Sequence, residues 1–241
     1  MRFVWASGTD TGRRRPKNED SIHPEHDGRT SGVLLVAVAD GLGGHRGGDV
    51  ASSVAVKEAV SVGGTPEDRV RAANEAILDE VLEQPQLVGM GTTLTVAELR
   101  PDGEVTVAHV GDSRAYRWHA ARFKQLTVDH TFVQEEVDAG RLDPAQVHSH
   151  PERSVLTRAL GFGHGLEVDL VRLKVSVGDR LLLCSDGLTS MVRDDRIAAI
   201  LGSGAPSEAV WELIEAANRS GGLDNVSVIV VAIAEDEASG D

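Results

Sequence analysis

The sequence predicts an α+β fold in which two antiparallel sheets are flanked by pairs of helices, in four layers. Segments with strand-like patterns follow one another directly, and helical segments arrive in pairs, which disfavours a parallel βαβ sheet. Of the 241 residues, 41% are hydrophobic and only 3% aromatic, so Val, Leu, Ile and Ala must build the core. Because no proline-rich or serine-rich linker divides the chain, we expect one domain over residues 1–234 and an acidic tail at 235–241.

The first third of the chain contains two predicted strands and two predicted helices. Strands are indicated at residues 2–9 and 33–39, and the second is apolar throughout, which is typical of a strand buried on both faces. The first helix follows Gly48 and repeats apolar residues at spacings of three and four. The second helix begins with Thr65 as its N-cap and a proline in its first turn, and it ends at Pro85.

The rest of the chain is predicted to consist mainly of strands. Alternating apolar residues predict a hairpin over 92–110 and another over 114–126 that turns at Ala120–Ala121. A polar region at 127–160 follows, with a short helix at 131–139. We interpret four histidines in or beside this region as surface residues: His130, His148, His150 and His164. The remaining predicted elements are strands at 166–173 and 179–184, helices at 194–201 and 207–218, and a strand at 226–234.

Composition and charge exclude several classes of function. The formal net charge of −14 argues against nonspecific binding to nucleic acid or to acidic membranes, which requires a basic surface. A single cysteine, Cys184, rules out an internal disulfide and a cysteine-rich zinc site, and its apolar surroundings predict an inert core residue. No apolar run approaches the roughly 20 residues of a membrane helix, and the N-terminus has no secretory apolar region. We therefore expect a cytoplasmic protein.

Carboxylates stand where predicted strands begin or end. Asp40-Gly41 and Asp186-Gly187 each follow an apolar run, while Asp112 ends the strand at 105–111, and Asp224 precedes the last strand. A carboxylate pair, Glu19-Asp20, lies near the first strand. Each of these residues alone is equally compatible with a turn. Together they would repel one another and lose solvation, so the set favours a divalent cation with hard oxygen ligands, Mg²⁺ or Mn²⁺.

A carboxylate-bridged pair of such ions is a recurrent device for hydrolysing phosphate esters, because one ion lowers the pKa of a bound water. The phosphate in turn requires a planar bidentate cation, which is the chemistry of arginine. Three consecutive arginines, Arg13 to Arg15, precede Glu19-Asp20 at a suitable place for this contact. The residues alone therefore indicate a two-metal phosphate hydrolase.

Six motifs in this order carry a resemblance to a known family. They are Gly12-x-x-Arg15-x-x-Asn18-Glu19-Asp20, Asp40-Gly41-Leu42-Gly43-Gly44-His45, Gly91-Thr92-Thr93, Gly111-Asp112-Ser113-Arg114, Ser185-Asp186-Gly187-Leu188 and Asp224-Asn225-Val226-Ser227. Together they resemble the metal-dependent type-2C serine/threonine protein phosphatases in their compact bacterial form. The resemblance spans about residues 5–234 and implies an αββα sandwich, in agreement with the order of elements.

The resemblance also implies roles for individual residues. Asp40 would bridge two catalytic Mn²⁺ or Mg²⁺ ions, the Gly41 carbonyl would complete the first site, and Asp186 and Asp224 would hold the second ion. Arg15 would clamp the substrate phosphate.

Further implied roles concern the periphery of the site. Asp112, together with Asp186, would hold a third ion that many bacterial members bind. Glu19 and Asp20 would act through metal-bound waters. The segment at about 129–158 would form a flap beside the active site.

The implied activity is hydrolysis of phosphoserine and phosphothreonine on proteins by attack of a metal-bridging hydroxide. Phosphorylated proteins are the expected partners, with a cognate serine/threonine kinase as a candidate, and the protein is expected to act as a monomer. Two alternatives stay open: a non-catalytic pseudo-phosphatase that binds phosphoproteins, and a phosphatase dedicated to one partner-switching regulator.

One position departs from part of the family. Eukaryotic members have a histidine, the proposed general acid, where this chain has Leu42, and a leucine cannot transfer a proton. Bacterial relatives usually have an apolar residue there. The acid is therefore open between His45 and a metal-bound water, and His45 is equally well interpreted as a loop residue without a chemical role.

Overall fold

A computed structural model describes residues 1–42 and 47–236 of the chain. The strands are β1 (Arg2–Asp10), β2 (Asp20–His23), β3 (Gly28–Thr30), β4 (Leu34–Asp40), β5 (Leu94–Leu99), β6 (Glu104–Val110), β7 (Arg114–His119), β8 (Arg122–Gln125), β9 (Asp169–Lys174), β10 (Arg180–Cys184) and β11 (Val226–Ala234). The helices are α1 (Gly48–Ser61), α2 (Pro66–Glu83), α3 (Phe132–Asp138), α4 (Asp186–Thr189), α5 (Asp194–Leu201) and α6 (Pro206–Arg219). Short 3-10 helices lie at Pro85–Leu87 and Pro144–Ser149.

The strands form two antiparallel sheets, as predicted. One sheet has six strands in the order β3-β1-β11-β10-β7-β8, and the other has five in the order β2-β4-β5-β6-β9. The longest pairing joins the two ends of the chain, because β1 runs beside β11 from Arg2 opposite Ala234 to Asp10 opposite Val226.

Three apolar cores separate four layers. In β4, Val36 and Val38 face the other sheet, while Ala37 and Ala39 face α1 and α2. In β10, Leu181 and Leu183 enter the core between the sheets, and the alternate residues face α5 and α6. Both strands are thus buried on both faces, since successive side chains point to opposite sides of a sheet. The predicted four-layer αββα sandwich is confirmed.

Cys184 belongs to the helix-facing side of β10 and is fully buried. Burial raises the pKa of its thiol to about 12. The thiol therefore stays protonated, and the prediction of an inert core cysteine agrees with its environment.

Two strands were missed from the sequence, and both are short. β2 contributes one apolar residue, Ile22, and β3 contributes none. Each lies at the edge of its sheet, where one side of the strand has no neighbour and hydrophobic alternation is weak. β2 nevertheless matters for the site, because its pairing with β4 sets Asp20 directly opposite Asp40.

The acidic tail predicted at 235–241 is described only for Glu235 and Asp236, and the other five positions lie outside the described residues. Asp236 accepts a hydrogen bond from the Ser31 hydroxyl at 2.6 Å. Across 1–42 and 47–236, none of the helices is sufficiently long and apolar to cross a membrane.

The interpretation of His130 as a surface residue was wrong, because this side chain is only 5% exposed. Its ring lies 4.8 Å from that of the fully buried His109, centroid to centroid. His130 Nδ1 accepts the Gly111 N–H at 3.0 Å. His130 thereby connects the start of the polar region at 127–160 to the end of β6. Its contact there is with Gly111, the residue directly before Asp112.

His109 is held as a neutral ring. Its Nε2 lies 3.1 Å from the Val128 carbonyl, which can only accept, so Nε2 carries the proton. Nδ1 then faces the Thr95 hydroxyl at 2.9 Å as an acceptor, and that hydroxyl shares its single proton between Nδ1 and the Ser113 carbonyl at 3.0 Å. Burial, followed by repulsion from His130, lowers the pKa of His109 to about 4.

This lowered pKa predicts an acid-dependent loss of stability. Unfolded His109 takes up its proton near pH 6.5, but the folded protein resists it until about pH 4, so stability falls as the pH drops through that window. We expect His109 alone to lower the free energy of unfolding by about 2 kcal/mol between pH 7.5 and pH 5. Urea titration should show a shallower pH dependence in His109→Gln, whereas the exposed His148→Gln should keep it. Identical pH profiles for all three proteins would contradict the assignment.

Candidate active site

Strand-end carboxylates from both sheets converge on one cavity of about 910 Å³. Asp40 is the last residue of β4, Asp112 follows β6, Asp186 is the first residue of α4 after β10, and Asp224 precedes β11. Glu19, Gly41 and Arg15 line the same cavity. The predicted metal and phosphate ligands therefore lie together, apart from Asp20, which is positioned behind them on β2.

Two threonines hold the Asp40 backbone. Thr93 accepts the Asp40 N–H with its hydroxyl at 2.9 Å and returns its own N–H to the Asp40 carbonyl at 2.9 Å. The Thr92 hydroxyl donates to the same carbonyl at 2.8 Å. Asp40 thus projects its carboxyl from a backbone whose polar groups are satisfied, which fixes its direction.

Glycine is required at two positions for close backbone approach. A Cβ on Gly41 would lie 2.2 Å from the Gly48 carbonyl oxygen, and one on Gly187 would lie 1.9 Å from that of Asn225. The first contact sets the Asp40-Gly41 peptide against the start of α1. The second sets Asp186 against the loop that carries Asp224.

Asn225 connects that loop to the arginine-containing segment. Its side-chain oxygen accepts the Glu19 N–H at 2.8 Å, and its amide nitrogen donates to the Thr11 and Lys17 carbonyls at 2.9 and 3.0 Å. The side chain is only 5% exposed. One buried amide therefore satisfies three backbone groups of the segment that presents Arg15.

The carboxylates repel one another. Burial raises the pKa of Asp40 well above its usual range, and four nearby carboxylates raise it further: Asp20, Asp186, Asp112 and Asp224. Burial also raises the pKa of Asp186, and repulsion from the Asp224 carboxylate raises it further. The pKa of Asp112 is raised by burial and then by Asp186. Such a set favours protons or cations as compensation.

Asp20 provides a second indication that the site suits a cation. Its Oδ2 accepts from the Ser185 hydroxyl at 2.8 Å, but its Oδ1 is buried without a hydrogen-bond partner. Burial raises the pKa of Asp20 to about 7 despite the hydroxyl contacts. An orphaned carboxylate oxygen beside further carboxylates fits a hydrated divalent cation, which would supply the absent donors and the absent charge.

Within the described part of the chain, no group of three or more histidine, cysteine or acidic side chains is arranged to hold a metal ion by itself. Mg²⁺ rarely uses such cages, because it keeps several water ligands and binds through one or two carboxylates. The all-oxygen donor set therefore suits Mg²⁺ or Mn²⁺ better than a softer metal.

Arg15 lies at the rim of the cavity and is bound to Asp224, with Nη2 donating to Oδ2 at 2.6 Å. This hydrogen bond is the main cause that raises the pKa of Arg15. Lys17, two residues on, contacts Asp49 at 2.9 Å and Glu19 at 3.1 Å. Two cations thus partly offset the acidic cluster from the loop before β2.

The predicted flap contributes to the cavity only through its end, where Ser154, Leu156, Thr157 and Arg158 line the wall. Sequence reasoning missed the segment that follows, which includes Phe162, Leu166 and Glu167. The sequence feature that could have indicated this segment is the alternate spacing of Gly161, Gly163 and Gly165 just after the polar region. Leu42 also lines the cavity, whereas His45 lies outside the described residues.

The Asn225 clamp generates a prediction for stability. Asn225→Ala leaves two carbonyls and one N–H without partners in part-buried positions, so we expect the free energy of unfolding to fall by about 1–2 kcal/mol. Chemical denaturation measures this change. The exposed Gln146→Ala offers a matched loss of an amide and should change stability by less than about 0.5 kcal/mol. Equal effects of the two substitutions would contradict a positioning role for Asn225.

Comparison with known proteins identifies the family. The family model described as Protein phosphatase 2C matches residues 7–219. The chain is 41% identical over 240 residues to the serine/threonine protein phosphatase PstP of Mycobacterium tuberculosis, which covers 96% of this chain. Since it covers only 45% of PstP, the chain spans about half the length of that relative.

Other relatives match over their whole length. The protein phosphatase PhpP of Streptococcus pneumoniae is 34% identical over 242 residues, covering 95% of this chain and 97% of PhpP. The solved catalytic domain of PstP in complex with two manganese ions superposes with a TM-score of 0.86 at 37% identity, covering 98% of this chain and all of that one. This chain belongs to the protein phosphatase 2C family.

Proposed function

We propose that the chain is a metal-dependent protein phosphatase that hydrolyses phosphoserine and phosphothreonine on protein substrates. The convergence of strand-end carboxylates with Arg15 in one cavity carries this proposal. Its relatives PstP and PhpP are named as protein phosphatases, which supports the same activity. A pair of bound Mn²⁺ or Mg²⁺ ions would supply an activated water and positive charge for the phosphoryl oxygens.

The residues of the chain divide the work of holding these ions. Asp40 would bridge them, with the Gly41 carbonyl beside the first and Asp186 and Asp224 at the second. The raised pKa values of Asp40 and Asp186 mean that cation binding would release protons and relieve repulsion, since a carboxylate must be ionised to act as a ligand. The related PstP domain with two manganese ions supports this count of catalytic ions.

Two further sets of ligands extend the proposal. Asp112 with Asp186 would hold a third ion, and Glu19 and Asp20 would contact the catalytic ions through water. Asp20 Oδ1 is buried without a hydrogen-bond partner and would accept a hydrogen bond from such a water, because a water bound to a cation is a strong donor.

Arg15 would clamp the substrate phosphate by exchanging partners. Its bond to Asp224 neutralises that carboxylate, and its side chain is 39% exposed at the cavity rim. With Asp224 serving as a cation ligand, the Arg15 guanidinium would be available to bind two phosphoryl oxygens. His45 stays a predicted candidate for the general acid.

The wider assignments of the chain are part of the same proposal. Residues 1–234 would form one catalytic domain, with a flap over about 129–158 and an acidic tail at 235–241. It would act as a cytoplasmic monomer on phosphorylated proteins, among them a cognate serine/threonine kinase.

Removing a metal ligand tests the activity. Asp186→Ala should lower phosphate release from a phosphothreonine peptide in Mn²⁺ by at least about 100-fold, because even groups that only support a ligand cost 10–100-fold. The exposed Asp195→Ala, on α5, should retain full activity. Full activity in the presence of a chelator would refute metal dependence. A wild-type protein that is stabilised by Mn²⁺ but hydrolyses no phosphopeptide would instead support the pseudo-phosphatase.

Removing Arg15, the proposed phosphate clamp, should change substrate binding more than turnover. We expect Arg15→Ala to raise KM for a phosphopeptide by about tenfold or more while kcat changes by only a few-fold, because a bidentate ground-state contact is lost. Steady-state kinetics separates the two constants. Arg29→Ala, an exposed arginine on β3, is the matched control and should alter neither. An unchanged KM in Arg15→Ala would remove the clamp from the proposal.

A further inference from the structure

Phe162 is a large apolar side chain held in the active-site cavity with 58% of its surface exposed. The chain has only four phenylalanines, and the fully buried Phe3 has the ordinary place of this residue in the core. Leaving more than half of the Phe162 side chain in water forgoes much of the stabilisation that burying it would give the fold. Its exposure therefore calls for an explanation other than packing.

The ring has a fixed support. A Cβ on Gly91 would lie 2.5 Å from Phe162 Cε2, so the edge of the ring packs directly over this glycine. Gly91 precedes the two threonines that hold Asp40, and its carbonyl accepts the Leu42 N–H at 3.0 Å. One side of the aromatic ring is thus fixed against the backbone of the metal-binding strand end.

A buried amide clamps the backbone on both sides of Phe162. Asn74 on α2 is 1% exposed, accepts the Gly161 N–H at 3.0 Å and donates to the Gly163 carbonyl at 2.8 Å. Burying an amide is unfavourable unless it is satisfied by such bonds. The pair of bonds fixes the direction of the one residue between them, Phe162.

The same segment is tied to the metal site. Leu160 and Thr92 exchange N–H···O bonds of 2.9 and 3.3 Å, and Thr92 also donates its hydroxyl to the Asp40 carbonyl. A single residue, Thr92, therefore connects the loop that carries Phe162 to the backbone of Asp40. These bonds fix where the Phe162 backbone lies relative to Asp40, and packing against Gly91 restrains the ring.

Part of the remaining cavity wall extends this apolar surface, beside the polar Ser154, Thr157, Arg158 and Glu167. Leu42, Leu156 and Leu166 line the same space, and Gly163 and Gly165 have no neighbouring atoms where a Cβ would project. A cavity of about 910 Å³ is far larger than one phosphorylated side chain requires, so it can admit residues beside it. Rigid aromatic side chains in such places supply much of the energy of peptide recognition, because little entropy is lost on binding.

We propose that Phe162 is a specificity-determining residue that contacts an apolar side chain next to the phosphorylated residue of the substrate. The substrate class is then a phosphopeptide with a leucine-sized apolar residue flanking phosphothreonine or phosphoserine. This inference rests on the proposed function, since it requires hydrolysis at the same cavity.

The test combines two enzymes with three peptides. Wild type and Phe162→Ala are compared on a phosphothreonine peptide flanked only by glycine, and on versions with leucine on the N-terminal or the C-terminal side. We expect wild type to prefer at least one leucine peptide by about tenfold in kcat/KM, the size of a single well-packed apolar contact. Phe162→Ala should lose that preference, so its kcat/KM falls about tenfold more for the leucine peptide than for the glycine peptide.

Two variants serve as controls. Trp211→Ala removes the comparably exposed aromatic on α6, outside the cavity, and should keep the preference. Phe162→Leu keeps an apolar side chain and should restore part of it. Equal ratios for Phe162→Ala and wild type on all peptides would overturn the inference while leaving the phosphatase activity intact. A wild type that hydrolyses none of the peptides in Mn²⁺ would refute the proposed function itself.

Discussion

Asp40, Asp112 and Asp186 stand at three strand ends, where burial and repulsion from neighbouring carboxylates raise the pKa of each carboxyl. The free energy of this arrangement is unfavourable for a protein in isolation, and the fold has to hold the side chains in place against it. Arg15 and Lys17 offset the charge only in part, from the rim. The acidic cluster is therefore the constraint that sets both the demand for divalent cations and the rigidity of the surrounding backbone.

That rigidity comes from small side chains that bind backbone groups. Thr92 and Thr93 satisfy the Asp40 peptide, while Asn225 satisfies three groups around the Arg15 segment. The bonds are short-range, but the residues they join are far apart in sequence. Each clamp fixes a functional group relative to another strand, so small displacements of one element cannot relax the cluster.

In the proposed reaction, one wall of the cavity would hydrolyse the phosphate ester and the other would bind the neighbouring residues of the substrate. The carboxylates and Arg15 face the phosphoryl group in the proposed reaction, and Phe162 belongs to a loop that Asn74 and Thr92 lock to the same strand end. The same backbone bonds thus couple the position of the proposed peptide contact to that of the metal site. Changes in substrate preference can arise on the Phe162 wall without alteration of the carboxylates.

Local sequence patterns were sufficient to predict the layers and the strand-end carboxylates: alternation in strands, paired amphipathic helices and Asp-Gly after apolar runs. Three features became visible only in the folded chain, namely the short edge strand at Asp20–His23, the buried His130 and the loop that carries Phe162. Edge pairing, burial of a polar ring and the exposure of an apolar one depend on neighbours distant in the chain. A local sequence pattern indicates which secondary structure and burial a residue favours, whereas its contacts depend on how distant parts of the chain pack together.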